Sequence, residues 1–157
     1  MFLAIKKISQ LNIQKINTEF KRIIILDKAT SKWVKYCIPD GTNFEVLNTR
    51  NSIPIILSFS FITNFFYLFL KSKKLLLSFF VATILEKKSE MVITHTDNID
   101  LPANIKKFLP NLFVISIQNG TRYKSLEPSS FTNIKYFSIL YSWGMYEKKL
   151  IEKSGGK

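Results

Sequence analysis

Two short runs bring acid, base and amide groups close together along the chain. The first is His95-Thr96-Asp97-Asn98, and the second is Gln118-Asn119-Gly120 with Arg122 just beyond. Asp97 is the candidate general base, able to take a proton from a hydroxyl or to bind hydroxyls directly. Aspartate at such a position equally suits the cap of a following helix. His95 is the only histidine, and an imidazole can exchange a proton near neutral pH. It is the weaker catalytic candidate, because a strand-end histidine also serves as a hydrogen-bonded packing group. Asn98, Gln118 and Asn119 offer amides to a substrate. Gly120 admits a positive φ, which lets backbone approach a ligand closely. An ordinary strand-to-loop turn uses the same residue types. Arg122 suits a phosphate or carboxylate, or is a solvated loop charge. Arg50 is a similar, weaker binding candidate.

The elements that must position these groups are short strands. Met91-Val92-Ile93-Thr94 leads into the first run, and Leu112-Phe113-Val114-Ile115-Ser116-Ile117 leads into the second. Between them Ile105, Phe108 and Leu109 give a short helix its apolar face, with Pro102 tolerated in the first turn. Strand, helix and strand make a βαβ unit with a right-handed crossover. Ligands of open α/β sheets bind at the carboxyl ends of the strands, where both runs fall. Residues 22–27 read as a further buried strand, and Phe44 to Leu47 as another after the Pro39-Asp40-Gly41 turn signal. Tyr136 to Leu140 is a last strand candidate. Trp143 to Lys153 reads as a helix ended by Ser154-Gly155-Gly156.

Ile53 to Leu70 runs for eighteen residues without a charge. As a helix it would be about 27 Å long, at the lower limit for a membrane span. Ser60, Asn64, Tyr67, Lys71 and Lys74 recur at helical spacing, which favours a buried amphipathic helix with one polar face. A small basic membrane protein with a span at 53–70 is the alternative. A second apolar helix, Leu75 to Leu85, is too short to span.

The chain has 157 residues, suited to one domain. Residues 1–19 read as an arm or short helix, and 20–157 as one Rossmann-like, three-layer α/β domain with a mostly parallel sheet. Apolar residues make up 46%, including 14 Phe, which favours a packed core over disorder. A net charge of +12 suits an anionic partner: phosphate-bearing substrate, membrane surface or nucleic acid. Nucleic acid is disfavoured, because most Phe residues lie in apolar runs rather than between Lys and Arg. Cys37 is the one cysteine, read as a small apolar residue; one Cys and one His do not make a structural zinc site. A reducing, cytoplasmic setting fits. Met1 to Lys7 lacks the pattern of a signal peptide. There is no GxxxxGK[ST] loop, no GxGxxG after a strand and no GxSxG turn.

Residues 91–98, Met-Val-Ile-Thr-His-Thr-Asp-Asn, resemble the VITxxDN segment of a bacterial surface carbohydrate biosynthesis family. Residues 113–122, Phe-Val-Ile-Ser-Ile-Gln-Asn-Gly-Thr-Arg, resemble its FIxIQNGxR segment. Tyr141-Ser142-Trp143-Gly144 and the following helix look like the stretch leading into that family's second domain. The resemblance covers about residues 20–157 and is specific only over 91–122. It implies the amino-terminal, acceptor-side half of a GT-B glycosyltransferase-like fold. It also implies a glycan or lipid-linked glycan acceptor, and work at the inner face of the cytoplasmic membrane. Lys71, Lys73, Lys74 and nearby Phe residues suit that contact. No cofactor is expected in this domain, since a nucleotide-sugar donor would need the second domain, which this chain lacks. His95 departs from the family's more hydrophobic residue, so no role carries over to it.

Overall fold

The computed structural model describes residues 12–50, 52–95, 100–118, 134–142, 144–153 and 155. Among them the chain forms strands β1 (Asn12–Lys15), β2 (Ile23–Leu26), β3 (Phe44–Leu47), β4 (Ser52–Ile55), β5 (Met91–Thr94), β6 (Phe113–Ile117) and β7 (Ile139–Tyr141). The helices are α1 (Lys28–Val34), α2 (Phe59–Ser72), α3 (Leu75–Glu86), α4 (Asp100–Phe108) and α5 (Met145–Lys153).

The main sheet has five parallel strands in the order β3-β2-β5-β6-β7. Strand β2 is four residues of Ile and Leu, all buried, as expected for a strand covered on both faces. From β2 the chain crosses one way to β3 through α1, and from β5 the other way to β6 through α4. Crossovers of one hand then put α1 and α4 on opposite faces. The core follows that division. Ile24, Leu26, Val92 and Val114 pack with Phe80, Ala103 and Ile105 on one face. Ile23, Ile25 and Ile93 pack with Val34 on the other. The protein is therefore an α/β domain with a parallel, Rossmann-like sheet, and strand order reverses between β2 and β5.

Strands β1 and β4 pair in a separate two-stranded parallel sheet. This corrects two expectations. Residues 12–15 are strand rather than arm or helix. The run from Ile53 to Leu70 is divided, with Pro54 inside β4 and the helix beginning only at Phe59. The start is set by Ser58, whose hydroxyl accepts from the Phe61 amide at 3.0 Å. Proline is tolerated because a two-stranded sheet consists of edges. No helix among the described residues is long and apolar enough to cross a membrane.

Helix α3 is apolar on nearly every side and is correspondingly buried. Helix α2 packs against it through aromatic rings, with Phe65 and Phe79 stacked at 4.2 Å. The polar positions of α2 do face outward, with Ser60, Tyr67 and Lys71 exposed, but Phe59, Ile62, Phe66 and Leu70 are exposed beside them. Cys37 is likewise exposed, beside an apolar groove of about 500 Å³ over Ile93, Ile115 and Ile117.

Lys87, just past α3, is fully buried and ion-pairs with Glu45 on β3. Its ammonium also donates to the Asn17 carbonyl at 3.1 Å, which ties the segment between β1 and β2 to the sheet.

Candidate functional site

A cavity of about 450 Å³ opens at the carboxyl ends of β2, β3 and β5, where the strand order reverses. Such a switch point leaves a crevice because the flanking crossovers run to opposite faces. Its walls include Gln14, Asp27, Lys28, Asn48, Arg50, Ser52 and His95.

Asp27 follows β2 directly and is buried. Its φ of 71° and ψ of 141° fall where residues other than glycine are strained, by about 1–3 kcal/mol. Two sets of bonds hold it there. Its amide donates to the Leu47 carbonyl at 2.8 Å, continuing the β2–β3 ladder. Its Oδ1 accepts from the Thr49 amide at 2.7 Å, and the Thr49 hydroxyl lies 2.7 Å from each carboxylate oxygen. Asp27 occupies the position before α1, yet its side chain makes no cap bond to that helix. It instead anchors the loop after β3.

Two further side chains fix the same loop. The Gln14 amide bridges it from β1, accepting from the Asn48 amide at 3.2 Å and donating to the Val46 carbonyl at 3.1 Å. The Ser52 hydroxyl donates to the Asn48 carbonyl at 2.5 Å. Arg50, exposed at the rim, is thus carried by a loop that three hydrogen-bonding side chains restrain. Lys28, also exposed, adds a second cation.

His95 ends β5 and is held by Thr30 of α1, which is fully buried. The His95 amide donates to Thr30 Oγ1 at 3.2 Å, and the same hydroxyl bonds His95 Nδ1. With Nδ1 engaged, Nε2 is the ring nitrogen left for a ligand. A Thr30 hydroxyl that donates to Nδ1 places the neutral imidazole's proton on Nε2.

Strands β5 and β6 are neighbours in register, with Thr94 beside Ser116, so the carboxyl ends of the two strands share one edge. His95 and Arg50 line the cavity. Gln118 does not. It is 2% exposed, which leaves almost no surface for a substrate, and its backbone N–H donates to the Tyr141 carbonyl at 2.9 Å. Asp97, Asn98, Asn119, Gly120 and Arg122 lie outside the described residues. Sequence reasoning missed Asp27, Thr30, Asn48 and Thr49. The available signal was Asp27 itself, an acidic residue closing a buried β-branched run.

No group of three or more His, Cys, Asp or Glu residues that could hold a metal ion occurs among the described residues. Fold and site together define a parallel α/β domain with a polar, cation-rimmed cavity at its strand switch point. Among known proteins, no family model, no curated protein and no solved structure matches this chain.

Proposed function

We propose that the chain is the acceptor-side domain of a glycosyltransferase-like protein of bacterial surface polysaccharide biosynthesis, and that its switch-point cavity receives a phosphate-bearing sugar. One observation carries the reading: Lys28 and Arg50 flank the cavity beside His95, whose Nδ1 is already occupied by Thr30. A guanidinium matches phosphate geometry. With Thr30 donating to Nδ1, the Nε2–H of His95 can donate to a sugar hydroxyl or a phosphate oxygen. The two segments that carry the family resemblance support the same reading, since β5 and β6 are adjacent and end at one edge. Asp97 remains the candidate base, with Asn98, Asn119, Gly120 and Arg122 as candidate binding groups. The nucleotide-sugar donor would be held by a second domain of the GT-B kind. The acceptor is a glycan or lipid-linked glycan, and the domain works in the cytoplasm at the inner face of the membrane.

Calorimetric titration of the chain with glucose 1-phosphate and with glucose tests this. The sugar phosphate should bind more tightly than the free sugar, and Arg50→Ala should weaken it by about tenfold, as loss of a charge-assisted bond implies. Equal affinity for the two sugars, or affinity unchanged in both Arg50→Ala and His95→Ala, removes the cavity from the reading.

A further inference from the structure

Among the described residues, helix α2 meets the rest of the protein along one side. Phe61 and Leu68 are buried, whereas Phe59, Phe66 and Leu70 stand 84%, 58% and 66% exposed, and Ile62 is exposed with them. Positions 59, 62, 66 and 70 follow one another at three- and four-residue steps, so their side chains form one stripe along the helix. Leu57 and Tyr67, also exposed, extend and border it. Single exposed apolar residues are ordinary, but a contiguous stripe of this kind marks an interaction surface.

The charge beside the stripe has one sign. Lys71, Lys73 and Lys74 are exposed at its carboxyl end. Between Glu45 and Glu86 the chain contains no aspartate or glutamate. Pairing α2 with α2 of a second copy would set lysines beside a segment with no acid to meet them. An anionic lipid surface supplies both the missing charge and a place for the apolar side chains.

We propose that this face of α2 docks on an anionic lipid bilayer. The helix lies in the plane of the interface, its stripe sunk about 5–10 Å into the headgroup and acyl boundary. The three lysines sit against lipid phosphates. With 14 residues the helix is about 21 Å long, which suits lying on a membrane rather than crossing it. The proposal deepens the membrane location proposed above by giving it a surface and a lipid charge, and its failure would leave the sugar-phosphate reading of the cavity standing.

Co-sedimentation of the whole chain with vesicles of phosphatidylcholine alone, or with about a third phosphatidylglycerol, tests it. The chain should pellet with the anionic vesicles and not with the neutral ones, and added salt should release it. Lys71→Glu with Lys74→Glu should weaken partitioning by at least about tenfold. Phe66→Ser with Leu70→Ser should weaken it comparably. Unchanged thermal melting and sugar-phosphate titration of these variants would show that fold and cavity are intact. Three outcomes overturn the proposal: no pelleting with anionic vesicles, equal pelleting with neutral ones, or variants that pellet as the parent does. A dimer in solution that Phe66→Ser with Leu70→Ser dissociates, with no vesicle binding, would assign the face to self-association instead.

Discussion

The Thr49 hydroxyl lies 2.7 Å from both carboxylate oxygens of Asp27, 22 residues earlier in the chain. This pair joins the end of β2 to the loop after β3, which carries Arg50. A charged acceptor in a buried site makes the bond strong, at about 1.5–3 kcal/mol. Thr49→Val should lower the unfolding free energy by about that amount, because the carboxylate keeps the amide bond but loses the hydroxyl. Thr49→Ser should restore most of it. Urea denaturation of the three proteins checks this, and equal midpoints would mean that the pair contributes nothing to stability.

His95 depends on Thr30 in a different way. The Thr30 hydroxyl accepts from the His95 amide and bonds the ring at Nδ1, so one side chain sets both backbone and ring. Thr30→Val removes both bonds while keeping the shape of the side chain. The expected result is a change in the His95 ring nitrogen shifts in a long-range ¹⁵N NMR spectrum, with loss of a single preferred tautomer. Thr30→Ser should keep the wild-type pattern. Identical spectra for Thr30→Val and wild type would show that Thr30 does not orient the ring.

How far these features could be read in advance follows from how local each one is. Ile23 to Leu26, Met91 to Thr94 and Phe113 to Ile117 are strands because β-branched and apolar side chains fill both faces, a signal contained within each run. Helix α1 has no such signal: among Lys28 to Val34 only Thr30 and Val34 are buried, so no apolar stripe forms. Strand β1, Asn12 to Lys15, has Ile13 as its one apolar residue and exists through its pairing with β4, some forty residues away. Pro54 argued for neither helix nor strand, and only an edge position admits it to β4. At the site, His95 was legible from its place at the end of β5. Asp27 was not, because its role depends on Thr49 and on a positive φ that nothing in an aspartate announces. The apolar part of the outward face of α2 was not legible, because a pattern of polar positions does not reveal how much of a helix its neighbour covers.

Lys87 and Glu45 form an ion pair in which the lysine has no access to solvent. Removing the carboxylate leaves the ammonium with carbonyl oxygens of Asn17 and Glu19 at 3.1 and 3.5 Å and the Asn17 side-chain oxygen at 3.4 Å. Those dipoles offset its desolvation only in part. Glu45→Gln should therefore destabilise the fold by about 3 kcal/mol. Lys87→Met combined with Glu45→Leu removes both charges and should recover much of that loss, since an apolar pair needs no desolvation. A double-mutant cycle by chemical denaturation measures the coupling. Additive single losses would show that the two side chains do not stabilise each other.

Phe61 and Phe66 lie on the same helix, five residues apart, and face opposite surroundings. Phe61 is 2% exposed and packs toward Phe79, with ring centroids 6.3 Å apart. Phe66 is mostly exposed, so its ring contributes little burial to the folded chain. Phe61→Ala empties a volume that the surrounding rings cannot readily fill, and should cost about 3–5 kcal/mol. Phe66→Ala should change stability by no more than about 0.5 kcal/mol, as surface substitutions usually do. The contrast separates core from contact surface without any partner present. If Phe66→Ala destabilises the isolated chain as much as Phe61→Ala, the outward stripe of α2 is part of the core in solution, and the face cannot be free to dock on a bilayer.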